Sequence, residues 1–150
     1  MKMDQFTNDF TNPLFQQAFK QYFAELGITV KDWDGLFQEM KEDTDTSVII
    51  RTDNSGALIG FLMFQPTPFS SWFFEETCGF IREFFIFPEF RGFGHGKALL
   101  RLAEEHFLQN SIYTSILTTD TAPDFYLKNG YRRAPGIRAK NEDDVFIKHL

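Results

Sequence analysis

The stretch FFIFPEFRGFGHGKALL, residues 84–100, sets the fold expected of this chain. It opens as an apolar run and closes as a helical pattern, with three glycines between the two. Glycines at such a place let several backbone N–H groups point into one concavity, and the N-terminus of the next helix adds unpaired donors and partial positive charge. The stretch therefore predicts a strand, a glycine-rich turn and a helix that together bind a phosphate group.

The spacing of the glycines excludes two common phosphate-binding motifs. A P-loop requires G-x-x-x-x-G-K-[ST]. Counted back from Gly96 and Lys97, its first glycine falls on Arg91, and Ala98 stands where a hydroxyl should hold magnesium. A dinucleotide fingerprint also fails, because its third glycine falls on Lys97. What remains is R-x-x-G-x-G, which disfavours a nucleotide-hydrolysing enzyme.

Length and composition indicate a single domain covering residues 1–150. A chain of 150 residues, 43% of them hydrophobic, can bury a core without disulfides or metals. The one cysteine, Cys78, has no internal partner, which favours a reducing, cytoplasmic setting. The acidic start predicts no signal peptide, and no segment reaches the roughly 18 apolar residues of a membrane span.

Charge narrows the range of ligands. The formal net charge of −6 argues against a nucleic-acid partner. Residues 1–50 hold 4 basic and 9 acidic side chains, whereas residues 51–150 hold 11 and 12. An anion is therefore expected to bind in the second part of the chain, and a cation would prefer the first. Three scattered histidines and one cysteine lack metal-ligand spacing, so no metal site is expected.

The remaining pattern predicts a mixed α/β sheet with helices on its faces. A first helix should begin at Asn12 and end at Gly27, and an acidic second helix should follow. Further along, periodicity predicts a hairpin with the turn TDNSG, and then alternating elements. These are the strand FIREFFIF, the helix HGKALLRLAEEHFLQN, the strand SIYTSILTT, a short helix in TAPDFYLKNGY and the strand DVFIKHL.

Two local details carry specific expectations. The second hairpin strand should stop at Pro66 and Pro68, because proline cannot donate to a sheet ladder. The segment WFFEETCG that follows fits either a loop or a strand extension. Thr121 and Asp124 have capping-box spacing for the short helix, with Asp in place of the usual Glu or Gln.

Phenylalanine is unusually abundant, at 20 of 150 residues, and ten of the 20 lie between Phe61 and Phe90. One interpretation is a core built with phenylalanine in place of valine and leucine. The other is an apolar wall around a ligand. Different members of the set can serve either purpose.

The opening stretch resembles motif A of the GNAT superfamily, the acetyl-CoA-dependent N-acetyltransferases. R-x-x-G-x-G follows an apolar strand that ends in V/I-x-P, here Ile86 to Pro88. A second segment, APDFYLKNGY, is similar to the superfamily's A-x-x-F-Y-x-x-x-G-F/Y element. The residues in register are Ala122, Phe125, Tyr126, Gly130 and Tyr131.

The resemblance covers nearly the whole chain and implies a fold and a cofactor. The fold is a mixed, mostly antiparallel central sheet with helices on both faces and strands that splay at the acetyl-CoA site. Its first strand would have to lie in MDQFTN, which is short and polar. Backbone groups near Phe84, Phe85 and Ile86 would hold the pantetheine arm like an added strand. The pyrophosphate would lie against Arg91, Gly92, Phe93, Gly94, His95, Gly96 and Lys97.

The resemblance also implies contacts beyond the turn. Thr119 and Ala122 would lie beside the cofactor, although relatives often carry Asn where this chain has Thr119. Tyr126 would be the proton donor to the leaving thiolate, and its alternative is a tyrosine packed on the sheet. Glu83 would accept the amine proton through water, and its alternative is an ion pair with Arg82 or a lysine. Some relatives carry their acid one residue earlier, at the position of Arg82.

The implied function is transfer of acetyl from acetyl-CoA to a primary amine of a small molecule or peptide, by direct attack in a ternary complex. No metal and no acyl-enzyme are involved. The alternative is a non-catalytic module that binds acyl-CoA as a sensor or interaction subunit. The acidic first part of the chain favours a cationic acceptor with some apolar surface. Homodimers are common among relatives, and this sequence leaves the oligomeric state open.

Overall fold

The computed structural model describes residues 3–71 and 74–150, which form one mixed sheet with helices on both faces. The strands lie in the order β1-β2-β3-β4-β5-β7-β6, and every neighbouring pair is antiparallel except β4 and β5. This confirms the predicted mixed, mostly antiparallel architecture. The strands are β1 (Met3–Thr7), β2 (Ser47–Thr52), β3 (Leu58–Ser71), β4 (Phe74–Ile86), β5 (Thr114–Thr119), β6 (Arg132–Arg133) and β7 (Asp144–His149).

Four α-helices cover the sheet within the described residues: α1 (Pro13–Leu26), α2 (Trp33–Glu42), α3 (His95–Gln109) and α4 (Pro123–Lys128). The predicted start of α1 is confirmed, because Asn12 Oδ1 accepts hydrogen bonds from the Leu14 and Phe15 N–H groups at 2.9 and 3.2 Å. Its predicted end is confirmed as well, because Gly27 adopts a left-handed φ of 74°.

Two clusters of buried side chains lie on opposite faces of the sheet. The α1-side cluster packs α1 and α2 against the sheet and includes Phe15, Phe19, Phe37, Phe61, Met63 and Phe85. The α3-side cluster includes Leu62, Phe64, Ile81, Leu99, Phe107, Tyr126 and Phe146. Phenylalanine thus contributes to the core on both faces, as the first interpretation of its abundance predicted.

The first strand of the sheet, β1, carried no clear signal in the sequence. It pairs antiparallel with β2, from Met3↔Thr52 to Thr7↔Val48. Most of its side chains are exposed, so it shows no apolar alternation. Its position is secured by Phe6, whose ring stacks on His106 at 5.6 Å.

The expected break at Pro66 and Pro68 is wrong, because β3 continues through both to Ser71 and stays paired with β4. The last β2 partner of this strand is Ser47, opposite Phe64. Beyond that point the side of β3 that faces away from β4 is a sheet edge. A proline nitrogen on this side costs no hydrogen bond between strands. The uncertain segment after the prolines belongs to β4 from Phe74 onward, and residues 72–73 lie outside the described residues.

The expected capping box at Thr121 and Asp124 is also wrong. The N-cap of α4 is Ala122, without a side-chain cap, and its N–H donates instead to Thr119 Oγ1 at 3.2 Å. Asp lacks the length of the usual Glu or Gln in that motif, whereas Thr119 at the end of β5 lies within reach. The helix ends before Gly130, which adopts a φ of 91°.

Candidate active site

A gap opens in the sheet between its two parallel strands. β4 and β5 pair only at Gly79↔Ser115 and Phe80↔Ile116. Beyond these two pairs β4 continues to Ile86 and β5 to Thr119 without further register between them. The edge of β4 from residue 81 onward therefore faces the gap, which is the divergence of strands that the sequence predicted.

A β-bulge in β4 lies at the mouth of this gap. Leu62 opposes Phe84 and Phe64 opposes Ile81, so Arg82 and Glu83 together oppose the single residue between them on β3. A bulge of this kind re-aims side chains and is common beside active sites. Here it places both consecutive side chains on the face covered by α1 and α2.

The two bulge residues find different partners on that face. Arg82 Nη1 donates to Thr46 Oγ1 at 3.0 Å and to Gln65 Oε1 at 3.1 Å, and it lies 3.6 Å from the Asp43 carboxylate. The Glu83 carboxylate instead accepts a hydrogen bond from the Tyr22 hydroxyl of α1. The alternative pairing of Glu83 with Arg82 is therefore not observed.

Tyr126 approaches the gap from α4. Its side chain is buried, 7% exposed, and its ring packs against Phe125 and Tyr131 at centroid distances of 5.1 and 5.7 Å. Burial raises the pKa of Tyr126 above its ordinary value, and the charge of Glu83 raises it further. Among the described residues no hydrogen bond engages its hydroxyl, which therefore keeps its proton and has it available for a ligand.

Tyr22 is the site residue that sequence reasoning missed. The pKa of Tyr22 is raised by four causes, of which burial is the largest. The others, in decreasing order, are the hydrogen bond to Glu83, the charge of Glu83 and the neighbouring Tyr126. In the sequence, Tyr22 falls on the helical spacing of the apolar face of α1, and this position accounts for it without a role in the site. A signal was present, however, because it is the only hydroxyl on that face and a buried tyrosine hydroxyl usually has a partner.

The glycine-rich turn forms an open cradle at the end of β4. Gly92 and Gly94 have φ values of 84° and 86°, and a Cβ atom at either would meet nothing within 4 Å. Gly94 is the N-cap of α3 and provides no side-chain acceptor. The N–H groups of Gly96 and Lys97 lie in the first turn of α3, where an α-helix offers them no carbonyl partner, so they can serve an anion. The cradle fits a phosphate group.

Arg91 joins the turn to its surroundings. Its Nε donates to the Ile86 carbonyl at 2.8 Å, and its Nη2 donates to the Glu25 carboxylate of α1 at 2.7 Å. The guanidinium also lies over the Phe85 ring, 5.5 Å from its centroid. These contacts hold the arginine beside the cradle.

The other predicted turn residues lie in contrasting environments. Phe93 is 73% exposed at the tip of the turn, and Lys97 is exposed on the first turn of α3. His95 is buried, with its ring edge-on to Phe90 at 6.1 Å and its carbonyl accepting from Arg51 at 3.5 Å. His95 therefore contributes to packing and backbone geometry at the start of α3.

The remaining predicted residues line the α3 side of the gap. Phe84 packs its ring edge-on against Phe125 at 5.9 Å, and a Cβ atom on Gly96 would touch both rings. Thr119 uses its hydroxyl to accept from the Ala122 N–H. Within residues 3–71 and 74–150 no cluster of His, Cys, Asp or Glu is arranged to hold a metal ion, and no helix is long and apolar enough to cross a membrane.

Comparison with known proteins agrees with this geometry. Residues 5–131 match the family model described as the acetyltransferase (GNAT) family. An uncharacterized N-acetyltransferase, YhfO of Bacillus subtilis (strain 168), is 28% identical over 131 residues, which is 83% of each chain. The chain therefore belongs to the GNAT acetyltransferase family, and it is an acyltransferase, as its sequence predicted.

Solved structures share the fold at low sequence identity. A predicted acetyltransferase from Clostridium acetobutylicum, solved with acetyl-CoA, superposes with a TM-score of 0.75 at 15% identity and covers 93% of this chain and 95% of its own. An aminoglycoside acetyltransferase from an uncultured soil metagenomic sample, solved with sisomicin, has a TM-score of 0.66 at 14% identity, with coverage of 85% and 83%.

Proposed function

We propose that this protein transfers the acetyl group of acetyl-CoA to a primary amine, by direct attack in a ternary complex at the gap between β4 and β5. One observation carries the proposal. Glu83 on the bulge of β4 and Tyr126 on α4 come from different elements and lie close enough for the charge of Glu83 to raise the pKa of Tyr126. The family membership and the phosphate cradle at the end of β4 support it.

The cradle and the edge of β4 are the surfaces that would hold acetyl-CoA. The N–H groups of Gly94–Lys97, together with Arg91 and Lys97, would bind the pyrophosphate. The Phe87 N–H donates to the Ile59 carbonyl on β3 at 2.9 Å, and backbone groups alternate in direction along a strand. Those of Phe84 and the Ile86 N–H therefore face the gap and would pair with the extended pantetheine arm, the Ile86 carbonyl already accepts from Arg91, and those of Phe85 face β3.

The two side chains would perform complementary proton transfers. Acetyl-CoA supplies an acyl thioester. An alkylammonium has a pKa of about 10.4 and must lose a proton before it attacks. Glu83 accepts that proton directly or through water. As the nitrogen bonds to the carbonyl carbon and the carbon–sulfur bond breaks, Tyr126 donates its proton to the leaving sulfur, which would otherwise leave as a thiolate. The second proton lost by the nitrogen on forming the amide then returns Tyr126 to its neutral form.

The acceptor is proposed to be a cationic amine of a small molecule or peptide. Within the described residues Glu83 takes part in no salt bridge, so its charge is available to an ammonium group. The acidic balance of residues 1–50, to which α2 contributes, adds to the attraction. The aminoglycoside acetyltransferase of the same fold is consistent with an acceptor of this kind.

The binding test is calorimetric titration with acetyl-CoA of the wild-type protein, Gly94→Glu and Gly56→Glu. Both glycines have φ above 80° and open space at the Cβ position, so the two variants carry matched strain and charge. Micromolar binding that is lost in Gly94→Glu and kept in Gly56→Glu supports the cradle. Binding lost equally in both variants, or absent in the wild type, would refute it.

The turnover test measures thiol release with spermidine, sisomicin and a lysine peptide as acceptors. Acetylation of any of these that falls at least tenfold in Tyr126→Phe supports the proposed chemistry. Tight acetyl-CoA binding without turnover on a wide amine panel would instead support the non-catalytic acyl-CoA-binding alternative. Failure of all three amines beside success of a neutral one would reject the cationic acceptor.

A further inference from the structure

We propose that Tyr22 is a positioning residue of the transfer site, whose hydroxyl holds the Glu83 carboxylate in place at the mouth of the gap. The catalytic purpose of the contact rests on the proposed function, whereas the existence of the contact does not. It concerns one hydrogen bond between α1 and the bulge of β4. The bond joins residues 61 positions apart in the chain, so it exists only in the folded protein.

The ring of Tyr22 is fixed on several sides. Its centroid lies 5.5 Å from Phe85, 5.7 Å from Phe61 and 5.8 Å from Phe23. Rings packed at such distances leave little rotamer freedom. The hydroxyl therefore occupies one place, at the carboxylate of Glu83, and loses little further entropy in forming the hydrogen bond.

The direction of the hydrogen bond is also fixed. The raised pKa of Tyr22, caused first by burial and then by Glu83, keeps the hydroxyl protonated over the working range of an enzyme. Tyr22 is therefore always the donor and the carboxylate always the acceptor. Tyr22 thus holds the carboxylate where it can accept a proton.

No other charged group nearby duplicates this contact in the described parts of the chain. Arg82, the neighbour of Glu83 on the bulge, is directed to Asp43 and Thr46. Glu25, one turn along α1 from Tyr22, is paired with Arg91. From α4 only Tyr126 approaches, and its hydroxyl makes no hydrogen bond to the carboxylate. Removal of the Tyr22 hydroxyl should therefore be felt directly at Glu83.

An NMR measurement that needs no acceptor tests the contact. The side-chain carboxyl carbons are observed by carbon-13 NMR at pH 7 in the wild type, Tyr22→Phe and Tyr113→Phe, and the Glu83 resonance is assigned with Glu83→Gln. Tyr113 is 58% exposed and provides the matched loss of a hydroxyl. We expect the Glu83 carboxyl resonance to move in Tyr22→Phe, because the carboxylate loses its hydrogen bond, and to stay in place in Tyr113→Phe. An unmoved Glu83 resonance in Tyr22→Phe, or an equal change in both variants, overturns the inference.

Kinetics then separate the inference from the proposed function. With acetyl-CoA and whichever of spermidine and sisomicin turns over faster, Tyr22→Phe should lower kcat/KM about tenfold. In a Glu83→Gln background the same substitution should change kcat/KM less than twofold. Equal losses in both backgrounds would mean that Tyr22 does not act through Glu83. If neither amine turns over, the proposed function fails in this form, and the NMR measurement still decides whether Tyr22 holds Glu83.

Discussion

Two glutamates that accept hydrogen bonds from tyrosines lie on opposite faces of the sheet. On the α3 side, Glu104 is 7% exposed and accepts from the Tyr131 hydroxyl at 2.8 Å and from Lys148 Nζ at 3.0 and 3.2 Å. On the α1 side, Glu83 accepts from the Tyr22 hydroxyl and, among the described residues, forms no salt bridge. A tyrosine–glutamate hydrogen bond is thus joined by a cation, Lys148, at Glu104 and, in the part of the chain that the structure describes, lacks a cation at Glu83.

The difference separates a structural cluster from a functional one. The Glu104 cluster is satisfied from within the chain, since Ser115 also shares a hydrogen bond with Tyr131 at 2.7 Å. It ties α3 to β5 and β7 through contacts within the chain. A partly buried carboxylate without a cation, beside an open strand edge, has its remaining charge available to an incoming ammonium group. Substitutions at the two clusters should therefore have opposite consequences.

The largest effect is expected for Glu83→Gln. The change keeps the size of the side chain and removes its ability to accept a proton. We expect kcat/KM to fall about 10²- to 10³-fold, in the range of general base catalysis, with little change in the urea midpoint of unfolding. Steady-state kinetics measure the change in kcat/KM, and urea denaturation measures the midpoint of unfolding. A loss of stability that matched the loss of activity would place Glu83 in the same class as Glu104.

Glu104→Gln should show the reverse. It leaves the half-buried Lys148 ammonium without its counter-charge, so we expect the free energy of unfolding to fall by about 2 kcal/mol. Acetyl transfer per folded molecule should be unchanged. Glu105→Gln, on the exposed neighbour in α3, is the matched control and should change stability by less than about 0.5 kcal/mol. Equal results for the two variants would show that the cluster does not stabilise the fold.

In alkaline solution the Tyr131–Glu104 pair and the Tyr22–Glu83 pair should behave alike. Burial, followed by the charge of Glu104, raises the pKa of Tyr131, just as burial and Glu83 raise that of Tyr22. Above about pH 10 the unfolded chain can ionise these tyrosines while the folded chain cannot, so stability present below pH 10 is lost as the pH rises. We expect Tyr131→Phe and Tyr22→Phe each to flatten that loss by at most about 1.4 kcal/mol per pH unit, the limit reached once the unfolded tyrosine is fully ionised, as measured by urea unfolding between pH 9.5 and 11. Unchanged slopes would show that the hydroxyls ionise in the fold.

The smallest effect concerns a third carboxylate, Glu25, which lies one turn from Tyr22 and pairs with Arg91. The side chains are 38% and 46% exposed, so the pair belongs to the surface class worth at most about 1 kcal/mol. Glu25→Gln should leave stability nearly unchanged and tighten acetyl-CoA binding about twofold, because Arg91 loses a competing anion. Calorimetry beside Glu105→Gln, which has the same change in net charge, checks it. Weaker binding would mean that Glu25 orients Arg91 for the cofactor.

The sequence predicted best what local chemistry dictates. The glycine turn and the start of α3 follow from glycines that adopt a positive φ, whereas the position of Tyr126 was expected from the resemblance to the family's A-x-x-F-Y element. The caps of α1 were predictable for the same reason, because Asn12 and Gly27 act over a few neighbouring residues.

What the sequence did not reveal depends on distant partners. β1 is exposed on most of its residues, so only its pairing with β2 defines it. The two prolines of β3 are tolerated because no strand lies beyond them, which is a property of the sheet. The contact between Tyr22 and Glu83 spans 61 positions and depends on an extra residue in β4, which no local pattern marks.

The bulge also has an evolutionary consequence. Because Arg82 and Glu83 oppose a single residue of β3, both side chains face α1 and α2, and an acid at either position lies on the same side of the gap. In a regular strand, a shift by one residue would move the acid to the other face of the sheet. A lineage with this bulge can therefore relocate its acid between neighbouring positions by two substitutions, with no change of register.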